Sequence, residues 1–176
     1  ITILHVMQEL RMGLQLPQNI LDDLIGSIEQ HAKVAIDGAR ALFSEEKVSA
    51  NAETLSGDPA DGILEFSKGD YDLIVMGVHG ENEKDANVLG SVARKVMMHA
   101  KCPTLIVKNF SSLSSLLVCV DGSENSINAL DYAAELAEKM GSKITLFNVQ
   151  ERRLFDSSPK AAEQLGQKIL SKSFDT

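Results

Sequence analysis

The chain is poor in the residues that staple or fill small folds. It holds two cysteines, no tryptophan and only 5% aromatic residues in 176. Cys102 and Cys119 share no CxxC spacing and stand beside no histidine cluster. That pattern excludes a disulfide framework or a zinc site and fits a reducing compartment. Both thiols lie in apolar stretches, so they are expected as small, buried core residues. No apolar run approaches the ~20 residues of a membrane-spanning helix. The opening ITILHVMQELR carries no basic region ahead of its short apolar run, so it does not read as a signal peptide. A basic stripe is also missing. The net charge of −8 argues against nucleic acid or anionic membrane as a partner. A cytoplasmic location is expected.

What is present is ordinary globular material. With 44% hydrophobic and 24% charged residues the chain can build a core. Its length allows one domain, or one plus part of another. Strand and helix signals alternate. Ile1–Val6 reads as a strand. Pro17 to about Lys47 carries an apolar stripe near period 3.6 through Ile20, Leu24, Ile28, Ala32 and Ala39. Gly57-Asp58-Pro59 marks a turn or a helix start, with Pro59 suited to the first helical position, and Gly69 is the expected C-cap of helix 60–68. Asp72–Gly77 and Pro103–Val107 are continuous apolar runs of the kind buried on both faces of a parallel sheet. Between them, Asn87–Ala100 reads as a helix.

Asn109–Ser115 is a serine-rich break. After it the pattern restarts, with strand Leu116–Val120, turn Asp121-Gly122-Ser123, helix Ser123–Met140 closed by Gly141, strand Ile144–Val149 and a final helix near 160–172. The alternation predicts an α/β fold, an open parallel sheet with helices on both faces. Ligands of such sheets sit outside the carboxyl ends of the strands. Ile1–Val6 (ITILHV) also lines up with Ile144–Val149 (ITLFNV), an offset of 144 − 1 = 143 residues. A repeat that long is a whole domain.

The chemistry-bearing motif is Gly77-Val78-His79-Gly80, nine residues, then Gly90-Ser91. It follows an apolar strand and opens a helix. Glycine lets a polyanion approach backbone N–H groups with no Cβ in the way. A helix N-terminus adds unpaired donors and a partial positive charge. Ser91 is placed to cap that helix or to give its hydroxyl to a phosphate oxygen. The competing description is a glycine-rich turn with an ordinary serine cap. His79 either bonds phosphate or ribose or fills the turn. The carboxylates of Glu81, Glu83 and Asp85 repel a triphosphate unless Mg²⁺ intervenes; otherwise they form a solvated loop pointing away. Asp121, at a strand's carboxyl end, is either an acceptor for an adenine amino group or ribose hydroxyl, or a turn or cap residue.

Together these residues resemble the universal stress protein family. Leu116–Ser126 (LLVCVDGSENS) looks like that family's opening strand and turn, Ala129–Gly141 like its first helix, and Ile144–Val149 and Ile1–Val6 like its second strand. Gly57-Asp58-Pro59, Tyr71–Gly77 and Cys102–Val107 match later elements, and G-x2-G-x9-G-[S/T] is the signature of its ATP-binding branch. The resemblance implies a five-stranded, Rossmann-like parallel sheet in the order 3-2-1-4-5, usually in a dimer. It assigns phosphate contacts to Gly77, His79, Gly80, Gly90, Ser91 and Val92. Adenine or ribose contacts fall to Val6 or its repeat mate Val149, to Met76 and to Asp121. The ligand implied is ATP, or AMP or ADP, with Mg²⁺ as a companion ion.

The order of elements departs from the family. Residues 1–108 match a domain without its first strand and helix, 109–115 form a linker, and 116–176 match the start of a second repeat. The two parts are expected to complete one site by permutation or by exchange with a second copy, and the chain reads as a piece of a tandem-repeat protein. The expected function is a nucleotide-binding stress-response module. The alternatives are a slow ATPase or phosphotransferase, which lacks a Walker lysine and a positioned base, and a nucleotide-free dimerisation or transporter-regulating domain, which intact glycines disfavour.

Overall fold

Pro17, with its fixed φ of −54°, sits at the N-cap of a 28-residue helix, and from that point strands and helices alternate except where β-strands 104–107 and 115–119 follow one another. The computed structural model describes residues 1–8, 17–78, 89–109, 112–149 and 159–174. The chain divides into two compact units, Ile1–Asn109 and Phe110–Thr176. The first unit contains β1 (Thr2–Gln8), α1 (Gln18–Glu45), β2 (Asn51–Gly57), α2 (Pro59–Phe66), β3 (Ile74–Gly77), α3 (Ser91–His99) and β4 (Thr104–Val107). The second contains β5 (Ser115–Cys119), α4 (Glu124–Met140), β6 (Lys143–Phe147) and α5 (Pro159–Phe174).

All described strand pairs are parallel, and the fold is α/β. Thr2 faces Asn51 in β1–β2, Ile74 faces Thr104 in β3–β4, and Ser115 faces Lys143 in β5–β6. The strands form these three separate pairs, where one five-stranded sheet was expected. No described strand stands between β1 and β3, so the sheet of the first unit is interrupted there.

Local chemistry explains the helix boundaries. The Asp58 side chain accepts the Asp61 N–H at 3.0 Å and caps α2, with Pro59 at the first helical position. Ser67, in the right-handed region, ends that helix, not Gly69; the Gly69 N–H only continues the turn to the Phe66 carbonyl at 3.3 Å. Ser123 caps α4, and Gly141 closes it at φ 66°, the left-handed conformation expected of glycine there. α3 begins at Ser91, later than its apolar pattern suggests, because Gly90 has an extended ψ of 148°.

The first unit buries Ala32 and Ile36 of α1, Ala60 of α2, and Ala93 and Val96 of α3. The core of the second is Val118, Val120 and Leu130, with Leu146, Ile169 and Leu170 packed against it. The expected burial of the two thiols is corrected: Cys102 is half-buried and Cys119 exposed. β5 has one covered face. Val118 and Val120 lie on it, whereas Leu117, 65% exposed, and Cys119 alternate onto the other. Among the described residues no helix is long and apolar enough to cross a membrane.

Candidate functional site

At the carboxyl end of β3 the chain leaves the strand and returns to it within one hydrogen bond. The Val78 N–H donates to the Val107 carbonyl of β4 at 3.1 Å, which fixes the end of the strand. The Gly90 N–H donates to the Val78 carbonyl at 2.9 Å, which brings the start of α3 to the same point. The first helical bond follows, from the Arg94 N–H to the Gly90 carbonyl at 2.9 Å. Gly90 is buried, Ser91 exposed and Val92 half-buried. The N-terminus of α3 therefore opens to solvent beside the end of β3. Its first turn contains no acidic residue, and its cap makes no side-chain hydrogen bond. The first-turn N–H groups of a helix lack intrahelical acceptors, and the dipole adds partial positive charge, so this terminus suits an anion. Ser91 occupies the first helical position; the cap is Gly90.

His79, Gly80 and the loop 81–85 lie outside the described residues. Gly77 and Met76 are in β3, exposed and half-buried respectively. Met76 also lines a cavity of about 190 Å³ with Leu4, Ile63 and Phe66. Val6 is half-buried in β1 and packs toward α2, where a Cβ on Gly62 would meet its methyl carbons at 3.0 and 3.2 Å. The Val6 side chain is thus committed to packing, and its backbone is what remains for a ligand.

One cation close to this end is already engaged. Lys95 Nζ, one turn into α3, lies 2.7 Å from Asp61 and 3.5 Å from Asp58. The hydrogen bond to Asp61 holds its ammonium above the ordinary lysine range, and Asp58 adds to the effect. Asp58 itself is held below the usual carboxylate range, first by the Asp61 N–H and then by the charge of Lys95. These three residues tie α3 to the start of α2, a contact that sequence spacing alone did not reveal.

In the second unit Asp121 lies exposed just past β5. Its Oδ1 accepts the Ser123 N–H at 2.9 Å, which closes an Asx turn. Its pKa is lowered to about 2, first by the Ser123 hydroxyl, then by the Ser123 N–H and the Ser126 hydroxyl. The next residue, Gly122, has φ 85°, and a Cβ there would meet Ile169 at 3.3 Å. The turn role left open by the sequence is therefore filled, and it leaves an acceptor ionised at neutral pH at a strand's carboxyl end. Val149, the repeat mate of Val6, is 71% exposed beyond β6. Among the described residues no group of three or more His, Cys, Asp or Glu is arranged to hold a metal ion.

The model of the universal stress protein family matches residues 1–108 and 113–172. The chain belongs to the universal stress protein family. Among its relatives is universal stress protein MJ0531 of Methanocaldococcus jannaschii, 38% identical over 82 residues, which are 46% of this chain and 48% of that protein. Universal stress protein YxiE of Bacillus subtilis is 29% identical over 116 residues, 61% of this chain and 78% of the relative. The match thus spans about half the length of the archaeal relative. A universal stress protein from Archaeoglobus fulgidus superposes with a TM-score of 0.71 at 23% identity, covering 97% of this chain and 61% of that one. UspA of Lactobacillus plantarum gives 0.54 at 25% identity, covering 60% of this chain and 75% of the other.

Proposed function

We propose that this stress-response protein binds an adenine nucleotide, ATP or its di- or monophosphate, and acts by holding it. The carrying observation is the 2.9 Å bond from Gly90 to Val78, which sets an acid-free helix N-terminus at the carboxyl end of a parallel strand. Phosphate oxygens take the backbone N–H groups at Gly77, Gly80, Gly90, Ser91 and Val92, with the Ser91 hydroxyl and His79 beside them, and Mg²⁺ accompanies a triphosphate. Met76 and the Val6 backbone border the adenosine end. Asp121 is the acceptor for an adenine amino or ribose hydroxyl group.

Binding is favoured over turnover because Lys95, which a phosphoryl-transfer site would use as a cation, is engaged by Asp61 and Asp58. The complete sheet of the working protein is the five-stranded order 3-2-1-4-5, in a cytoplasmic homodimer. The reading is tested by mass spectrometry of small molecules released from the purified chain, followed by calorimetry with ATP, ADP and AMP. Adenine nucleotide in the released fraction and saturable binding are expected. An empty fraction with no heat of binding overturns it, and rapid phosphate release overturns the preference for binding over catalysis.

A further inference from the structure

Helix α1 carries two apolar faces, and among the described residues only one of them is packed. On the side turned to β1 and β2 it buries Ala32 and Ile36, with Leu21 and Ile28 half-buried. On another side Ile20, Leu24, His31, Val34, Gly38 and Leu42 are all exposed, Val34 by 61% and Leu42 by 66%. Neighbours in this row are three, four or seven residues apart, which sets them in one stripe about 33 Å long. A lone exposed apolar side chain is ordinary, whereas a continuous row with a polar rim marks a contact surface. The stripe is independent of the interruption in the sheet. Ala39 and Phe43 line the opening beside β1, and at about 100° per residue they project from a different side of the helix.

Two features define what the stripe fits. The first is Gly38, between Val34 and Leu42. A Cβ at Gly38 would meet nothing within 4 Å, so no neighbour in this chain calls for glycine there. Glycine nevertheless weakens a helix interior. The missing side chain leaves a dip in the stripe, and the ridges of one helix pack into such grooves of another.

The second feature is charge. Asp23 and Asp37 run along one flank of the stripe, with Gln30 midway at the same seven-residue spacing, and Glu45 stands at its end. Among the described residues neither Asp23 nor Asp37 forms an ion pair. The cations Lys33 and Arg40 lie on the far side of the helix, in company with Asp22 and Glu29. An apolar stripe with an acidic flank is complementary to an amphipathic helix with a basic one. Charge disfavours a second copy on this face. An antiparallel pairing centred on His31 sets Asp23 beside Asp37 of the other copy. A parallel pairing turns the acidic flank onto the apolar flank at Ile28 and Ala35. Anionic lipid meets the same carboxylates.

We propose that the exposed stripe of α1 docks an amphipathic helix of another protein, one whose apolar face is flanked by Lys or Arg. Leu24, Val34 and Leu42 meet its apolar side chains, Gly38 admits one of them into the dip, and Asp23 and Asp37 pair with its cations. The contact requires no nucleotide and shares no residue with the nucleotide site.

The probe is a fluorescein-labelled leucine–lysine amphipathic helix of about 18 residues, five turns, titrated into the full chain and followed by anisotropy. Saturable binding is expected, with a scrambled peptide of the same composition binding far more weakly. Leu24→Ser, Val34→Ser and Leu42→Ser combined keep every charge and should weaken binding at least about tenfold, as loss of central apolar anchors does. Asp23→Asn with Asp37→Asn should weaken it as well. Gly38→Gln should raise the melting temperature and weaken the peptide, two opposite signs that a merely structural role does not give. Absence of binding, or equal binding by the triple variant, overturns the proposal. A triple variant that sediments at a smaller mass than the parent assigns the face to a second copy and also overturns it. So does parent binding to phosphatidylglycerol vesicles that the triple variant loses.

Discussion

Gly90 donates its backbone N–H to the carbonyl of Val78 at 2.9 Å, and this single bond fastens the head of α3 to the tail of β3. Eleven residues, 79–89, separate the two bonded positions in the sequence, and both positions lie within the glycine motif. Gly90 is buried there. Gly90→Val sets a branched side chain at the mouth of the helix terminus. ATP affinity in calorimetry is expected to fall at least about tenfold, the equivalent of ~1.4 kcal/mol, with the far-ultraviolet circular dichroism retained. Equal affinity in variant and parent contradicts the phosphate role of this terminus.

Ser123 has two duties, as cap of α4 and as the leading cause of the lowered Asp121 pKa. Ser123→Ala is expected to cost about 1 kcal/mol of stability in chemical denaturation, the usual loss for a cap. It should also move the Asp121 titration, followed by carboxyl NMR, upward from about 2 toward 3.8. An unmoved titration contradicts the hydrogen-bond assignment.

The pH dependence follows from the same group. A carboxylate whose folded pKa is below its unfolded value stabilises the fold above the unfolded value. That contribution fades as pH falls from 3.8 through about 2. Asp121→Asn removes the titration, so its melting temperature should decline less steeply than the parent's between pH 4 and 2. Parallel curves contradict this. Asp121→Ala should also weaken ATP binding at neutral pH.

Gly62 lets α2 close on β1 over the Val6 methyl groups. An added methyl would gain helix propensity, up to about 1 kcal/mol, but overpacking against Val6 costs typically 1–3 kcal/mol. Gly62→Ala alone should therefore destabilise, and in a Val6→Ala background it should stabilise. The sign change in a double-mutant cycle is the check; additive effects contradict the contact.

Lys47 ends α1 at φ 58°, in the left-handed region. A side chain there costs roughly 1–2 kcal/mol relative to the right-handed region, partly offset by the greater freedom of glycine in the unfolded chain. Lys47→Gly should raise the denaturation midpoint, and a lowered midpoint contradicts this.

Much of the architecture is legible in single residues whose chemistry is local. Pro59, Ser123 and Gly141 mark helix ends because a fixed φ, a hydroxyl acceptor and a missing Cβ each act within one turn. Strand β2, Asn51–Gly57, escaped notice because Asn51, Glu53 and Ser56 give it no apolar run, and it is the ladder with β1 that holds it. Exposure at Cys119 was not legible either. An apolar run shows that a strand is able to be covered on both faces, but coverage depends on neighbours distant in the chain. The same limit applies to the site. Gly90 and Ser91 announce a helix start, whereas the engagement of Lys95 by Asp58 and Asp61 depends on how α2 meets α3.

The most direct measurement is calorimetric titration of ATP into the purified chain after bound nucleotide has been stripped, with Gly90→Val run alongside. Saturable binding by the parent, and at least tenfold weaker binding by the variant, is the expected result. A parent that binds no ATP, or a variant that binds as tightly as the parent, would contradict the nucleotide site at the end of β3.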